Sequence, residues 1–166
     1  MLDILLLGAT GNIIPLFVWS FSFTHVHQGY TGRLIARYLA THAQRTAFSF
    51  GLAARSDSKL KGLLRENADL KDVPTFVVDV TNADDVDKAV QRARVIINAV
   101  GPYWRWGTPV VRACVRHGRH YVDLTGEAPW VRDIIIERVP RPRRLPQYLT
   151  MTTYAGSTMP LAALVR

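Results

Sequence analysis

Across 166 residues the chain is 48% hydrophobic and holds 21 Lys and Arg against 13 Asp and Glu, with one cysteine. This composition excludes wholesale disorder, an intrachain disulfide framework and a cysteine-only metal site. The length corresponds to one domain by the usual span of about 100 to 200 residues. Half of the net charge of +8 lies in residues 137–166, which hold five Arg and one Glu, and no interleaved basic and aromatic platform accompanies it. A nucleic-acid partner is therefore not expected.

The first predicted element is the apolar run Ile4-Leu5-Leu6-Leu7, of the kind found in a parallel strand covered on both faces. Gly8-Ala9-Thr10-Gly11 closes it, and Tyr30-Thr31-Gly32-Arg33 opens a helical pattern. Joined, the two would read GATGYTGR, a Gly-rich turn between strand and helix. Such a turn aims backbone N–H groups and the positive end of a helix dipole at a pyrophosphate, and its glycines admit the close approach that a Cβ would obstruct. In the helix, Leu34, Ile35, Tyr38 and Leu39 are expected on the sheet-facing side, with Arg33, Arg37 and His42 largely opposite.

Eighteen residues, 12–29, divide the turn. They contain no Asp, Glu, Lys or Arg, yet carry Phe17, Trp19, Phe21 and Phe23. A buried hairpin or lid is one reading. The apolar stretch from Ile13 to Phe23 is about half the roughly 20 residues of a membrane span, and no basic region precedes it as in a signal peptide. The preferred reading is a retained intron or an error in the gene structure: Gly11-Asn12 can be encoded with a GTAAC donor, Gln28 can be CAG, and the piece is in frame.

Strand-like and helix-like segments then alternate. Phe48 to Ala53 is the second strand, followed by a helix from Asp57 to Leu64; Thr75 to Val78 is the third, followed by a helix capped by Asn82 or Thr81 and running through Arg92. Val95 to Asn98 is the fourth strand. Thr108-Pro109 supplies an N-cap and a first-turn proline for a helix to His117 that ends at Gly118. His120 to Leu124 is the fifth strand, and Trp130 to Glu137 begins another helix. The expected fold is α/β, a Rossmann-like doubly wound parallel sheet with an 18-residue insertion in its Gly-rich loop, over residues 1–136. Residues 137–166 form a divergent Pro- and Arg-containing tail, for which association with an acidic membrane surface is one reading.

In such sheets ligands bind at the carboxyl ends of the strands, near the switch in strand order. After the second strand, where an NAD-selective domain places an acid, the chain reads Ala53-Ala54-Arg55-Ser56 with Lys59 beyond. Arg55 can fork onto a 2′-phosphate and stack on adenine while Ser56 donates a hydrogen bond, which favours NADP over NAD; Arg55 and Lys59 as plain solvated charges are the alternative. Without the eighteen residues Arg55 would stand 29 positions after Gly8, in keeping with a βαβ unit of about 30 residues. Asp79, after the third strand, is either a contact to the adenine edge or a loop acid. Ala99-Val100-Gly101-Pro102-Tyr103 leaves space for the ribose and nicotinamide. Asp123, Thr125, Gly126 and Glu127 bring polar groups to where substrate and nicotinamide should meet. Cys114, in the apolar stripe of its helix, reads as a core thiol. His25 and His27 lack a third ligand, so no metal site is assigned. None of the six tyrosines is followed four residues later by Lys, as a short-chain dehydrogenase requires, and no G-x-S-x-G motif exists.

GATG with YTGR, GLAARS with Lys59, NAVGPYWRWGTPVVRAC and HYVDLTGEAPWVRD together resemble the N-terminal domain of saccharopine dehydrogenase-like oxidoreductases, the family that includes the trans-acting enoyl reductases. The resemblance covers residues 3–11 and 30–135. It implies that Gly8, Thr10, Gly11, Tyr30, Thr31 and Gly32 surround the pyrophosphate. It further implies Arg55 and Ser56 at the adenosine end, with Gly101, Pro102 and Tyr103 lining the nicotinamide side. The family continues into a second α/β domain that carries substrate contacts, and from Ile136 this sequence departs from the family, without its Cys-Gly-Phe-Asp stretch. The expectation is therefore a cofactor domain of an NADP-dependent oxidoreductase that is inactive alone, with a role in lipid or glycolipid metabolism by resemblance. An intracellular location, cytoplasmic or peripheral to a membrane or lipid droplet, follows from the same resemblance. A non-catalytic NADP-sensing module and a basic binding protein are the alternatives. If residues 12–29 derive from an intron, sequencing of cDNA will recover transcripts in which codon 11 is followed directly by codon 30; their presence in every transcript would refute that origin.

Overall fold

The computed structural model describes residues 1–10 and 30–136. Five parallel strands, β1 (Leu2–Leu7), β2 (Phe50–Ala54), β3 (Thr75–Val77), β4 (Ala93–Asn98) and β5 (His120–Asp123), lie in the order β3-β2-β1-β4-β5. The five helices are α1 (Tyr30–Thr41), α2 (Asp57–Glu66), α3 (Ala83–Val90), α4 (Tyr103–His117) and α5 (Ala128–Ile136). β1 is central, in register with β2 from Ile4 opposite Phe50 to Leu7 opposite Ala53, and with β4 from Leu2 opposite Ala93 to Leu7 opposite Asn98. The strand order reverses between β1 and β4, which opens the crevice used by ligands of doubly wound sheets.

The pleat of β1 divides the core in two. Leu5 and Leu7 join Ile96, Tyr121 and the apolar faces of α3, α4 and α5, including Val86, Val110 and Trp130. Leu6 turns to the other face, with Phe50, Leu52, Ala36 and Leu39 of α1, and Leu60 and Leu63 of α2. Helices thus cover both faces. Cys114 is fully buried, and desolvation pushes its thiol far above the ordinary cysteine range, as befits a core thiol.

Local chemistry sets most helix ends. Ser56 caps α2 by accepting from the Lys59 amide, and Asn82 caps α3 by accepting from Asp84 and Asp85, a device that contributes about 1 kcal/mol. Gly118, at φ 61°, closes α4 in the left-handed region. Asp87 of α3 accepts from Arg116 and pairs with His117 in the last turn of α4, and these bonds, Arg116 foremost, hold its carboxyl below the ordinary range.

Two expectations are corrected. The α1 face against the sheet is Gly32, Ile35, Ala36 and Leu39, whereas Leu34 and Tyr38 are exposed. Small residues win these positions because they let the helix axis come close to β1. The second concerns α4, which begins at Tyr103, so Thr108 does not cap it and Pro109 lies inside the helix. The Thr108 hydroxyl instead accepts from Trp130 Nε1 at 2.9 Å, tying α4 to α5. The expectations for Gly11, His25, His27, Glu137 and the tail fall outside the described residues.

A Cβ added at Gly62, inside α2, would meet nothing within 4 Å. Gly62→Ala should therefore stabilise the protein by about 1 kcal/mol through helix propensity alone, read as a raised urea midpoint with unchanged slope.

Candidate cofactor site

The crevice is built on close backbone contacts. Gly8, at the end of β1, has φ +83°, and a Cβ there would lie 2.9 Å from Val100 Cγ2 and 3.0 Å from the Ala99 carbonyl. A Cβ at Gly32 would overlap the Gly8 carbonyl oxygen and stand 3.1 Å from the Ala9 Cα. The first turn of α1 therefore sits directly on the strand end, with Thr10 buried beside it and Thr31 half-buried. Gly8 N and Ala9 N both donate to Ala53 O, and Ala99 N donates to Leu7 O, so three strand ends share one rigid floor. The close contact sets the start of α1 at the end of β1, and a helix start in that place is the kind of feature that favours a phosphate. Tyr30, at the lip, is exposed.

On the β2 side, Arg55 is exposed, Ser56 is half-buried and Lys59 is exposed on the first turn of α2. The Ser56 hydroxyl accepts from the Lys59 amide at 3.4 Å and shares a hydrogen bond with Ser58 Oγ at 3.0 Å. Asp57, the next acid in sequence, is paired with Lys61 at 2.6 Å. Asp79 serves the turn after β3, where its Oδ1 accepts from the amide and hydroxyl of Thr81 at 2.9 and 2.8 Å. Those bonds hold its carboxyl below the ordinary range, and Arg55 adds to the effect; the two residues follow neighbouring strands, β2 and β3.

Across the switch, the end of β4 is supported by a buried polar chain. Asn98 Nδ2 donates to the Tyr121 hydroxyl at 3.1 Å, and that hydroxyl donates to Asp123 Oδ2 at 2.9 Å. Asn98 Oδ1 accepts from Val100 N, and Asp123 Oδ1 accepts from Thr125 N. The Tyr103 hydroxyl donates to Asn98 O at 3.2 Å, its ring stacked at a tilt on Trp130. Burial, with Asp123 and Glu127 nearby, pushes the Tyr103 phenol up to about 12, and burial also raises Tyr121 well above the ordinary range. Desolvation also raises the Asp123 carboxyl, against the lowering effect of Thr125 and Tyr121.

The expected residues Gly8, Thr10, Thr31 and Gly32 are thus gathered at one crevice, with Gly101 and Pro102 on the loop beyond Ala99 and Val100. Arg55, Ser56, Lys59 and Asp79 lie on the rim to one side. Tyr103 turns its hydroxyl inward, beneath the loop. Asp123 and Thr125, expected to face substrate, are 2% and 1% exposed and spend their polar atoms on the protein itself. Sequence reasoning missed Asn98 and Tyr121. Their signal was an amide closing an apolar strand, and a Tyr placed two residues before an Asp on one strand face.

The family described as saccharopine dehydrogenase NADP binding domain matches residues 28–153. The chain belongs to that family. Among curated relatives, a trans-acting enoyl reductase of Mycobacterium leprae is 40% identical over 110 residues, covering 64% of this chain and 25% of the relative. A lipid droplet localized protein of Caenorhabditis elegans is 35% identical over 108 residues, covering 62% and 25%. The chain therefore spans about a quarter of the length of these relatives. Among solved structures, saccharopine dehydrogenase of Saccharomyces cerevisiae aligns with TM-score 0.53 at 16% identity, over 81% of this chain and 24% of that one. Yeast methylglyoxal/isovaleraldehyde reductase, complexed with NADPH, aligns with TM-score 0.51 at 13% identity, over 76% and 37%. These likenesses establish the Rossmann-type fold, and the family match makes this an NADP-binding domain of the saccharopine dehydrogenase-like oxidoreductases.

A carboxyl whose folded-state pKa is raised holds its proton more tightly in the folded chain. Its contribution to stability is fully present below about pH 4 and is lost as pH rises through the folded value. The stability of the unsubstituted protein relative to Asp123→Asn should accordingly fall as pH rises above about 4, measured by urea denaturation at a series of pH values.

Proposed function

We propose that this chain is the cofactor domain of an oxidoreductase selective for NADP over NAD. The observation that carries the preference is the end of β2, where an exposed Arg55 stands in place of the acid that would bind a free ribose hydroxyl, and the next acid in sequence, Asp57, is engaged by Lys61. Arg55, Ser56 and Lys59 would hold the 2′-phosphate and adenine, with Asp79 at the adenine edge. Gly8, Thr10, Gly11, Tyr30, Thr31 and Gly32 would hold the pyrophosphate. Gly101, Pro102 and Tyr103 would form the nicotinamide side, where the bound cofactor supplies or accepts a hydride.

By family resemblance the parent enzyme would act in lipid or glycolipid metabolism, and the name of the nematode relative, a lipid droplet localized protein, supports a place at a membrane or lipid-droplet surface inside the cell. Among the described residues no helix is long and apolar enough to cross a membrane. Residues 12–29 divide the phosphate turn, and the substrate contacts belong to the three quarters of the relatives outside the match. The 166 residues alone are expected to bind dinucleotide weakly and not to turn over.

Calorimetric titration of NADPH and NADH, with the full chain and with a variant lacking residues 12–29, tests this reading. Tighter NADPH binding by the shortened variant, and a loss of about 1.5 to 3 kcal/mol for NADPH with little for NADH on Arg55→Ala, is the expected result. Tight binding by the intact chain, with no activity even when the remaining portion of a relative is supplied, would favour a sensing module. Salt-sensitive RNA binding without dinucleotide affinity would favour a basic binding protein.

A further inference from the structure

Glu127 lies in the loop between β5 and α5, yet its carboxylate closes the start of α4. Oε1 accepts from Tyr103 N at 2.9 Å and Oε2 from Trp104 N at 2.7 Å. The base of this arm is itself fixed, because Glu127 N donates to Thr125 Oγ1 at 3.0 Å and Thr125 N donates to the buried Asp123 at 3.1 Å. At the other end of the same loop, Val100 N and the Tyr103 hydroxyl are held by Asn98. Segment 98–104 is thereby pinned at both ends, and it contains Gly101, which has no side chain of its own to anchor it. A carboxylate suits this position, since two orphan amides and the positive end of α4 converge on it. A glutamine offers one acceptor oxygen and would set its NH₂ against the second amide.

We infer that Glu127 is a positioning residue for the nicotinamide side of the cofactor site, its two oxygens fixing the loop at Gly101, Pro102 and Tyr103 from outside the dinucleotide-binding elements. The inference rests on the reading of this crevice as an NADP site. It separates from a purely structural cap because the adenosine end is built from β2 and α2, whereas the carboxylate of Glu127 is bonded to the first turn of α4, on the other side of the switch in strand order. Loss of the clamp should damage one half of the ligand site and spare the other.

The test is Glu127→Gln, made in the full chain and in the variant lacking residues 12–29. Each protein is titrated by calorimetry with NADPH and with adenosine 2′,5′-bisphosphate, and the nicotinamide fluorescence of bound NADPH is recorded. The expected result is NADPH binding weakened about tenfold, as for loss of one charge-assisted hydrogen bond. Affinity for adenosine 2′,5′-bisphosphate should be unchanged, and the nicotinamide emission should move toward that of free NADPH. Unchanged NADPH affinity and emission in a folded Glu127→Gln protein would overturn the positioning role alone, as would equal losses for both ligands. Failure of both unsubstituted proteins to bind NADPH would overturn the cofactor reading, and the inference with it.

Discussion

The first turn of α1 rests on the carbonyl of Gly8, and no residue with a Cβ could occupy position 32 in that arrangement. This contact brings a helix start to the end of the central strand, and Gly8 in turn lies against the Ala99 carbonyl at the end of β4. Strand end, helix start and the neighbouring strand loop are held within van der Waals distance of one another. Widening the contact by a methyl group would lift α1 off Leu6 and disturb the face that α1 shares with α2. Packing and ligand site consequently depend on the same missing atoms.

How much could be read from sequence followed the range of the forces involved. The strand run Ile4 to Leu7, the Asn82 cap and the Gly118 stop depend on neighbours a few residues away, and the alternation of elements then leads to the doubly wound sheet. The buried face of α1 did not follow hydrophobicity, because Gly32 and Ala36 are selected by how near the helix must come, a quantity set by the sheet. The start of α4 was hidden for a different reason: its capping carboxylate lies 24 residues later, at Glu127. The place of Arg55 at the end of β2 was legible because the apolar strand before it was. Asn98 and Tyr121 escaped because their bonds cross between β4 and β5, which no local pattern encodes.

The polar chain beneath the β4 and β5 ends is a second organising feature. Asn98, Tyr121, Asp123 and Thr125 are almost entirely withdrawn from water, and each has a hydrogen-bond partner in the protein. An apolar set of equal volume could give comparable stability, since buried polar groups recover little beyond the cost of their desolvation. Directional bonds do something that such packing would not: they fix the rotation of the loops leaving both strands.

Along the carboxyl edge of the sheet, α3 opens with Asp84 and Asp85 and α4 is met by Glu127, while the β2 end presents Arg55 and Lys59. Charges of both signs therefore share the flank of β2 and β3, where Asp79 feels Arg55 and its amide donates to Asp85, whereas Glu127 lies across the switch in strand order. A ligand entering the crevice would meet both signs on one flank, so its orientation would be set by individual contacts and not by a long-range field.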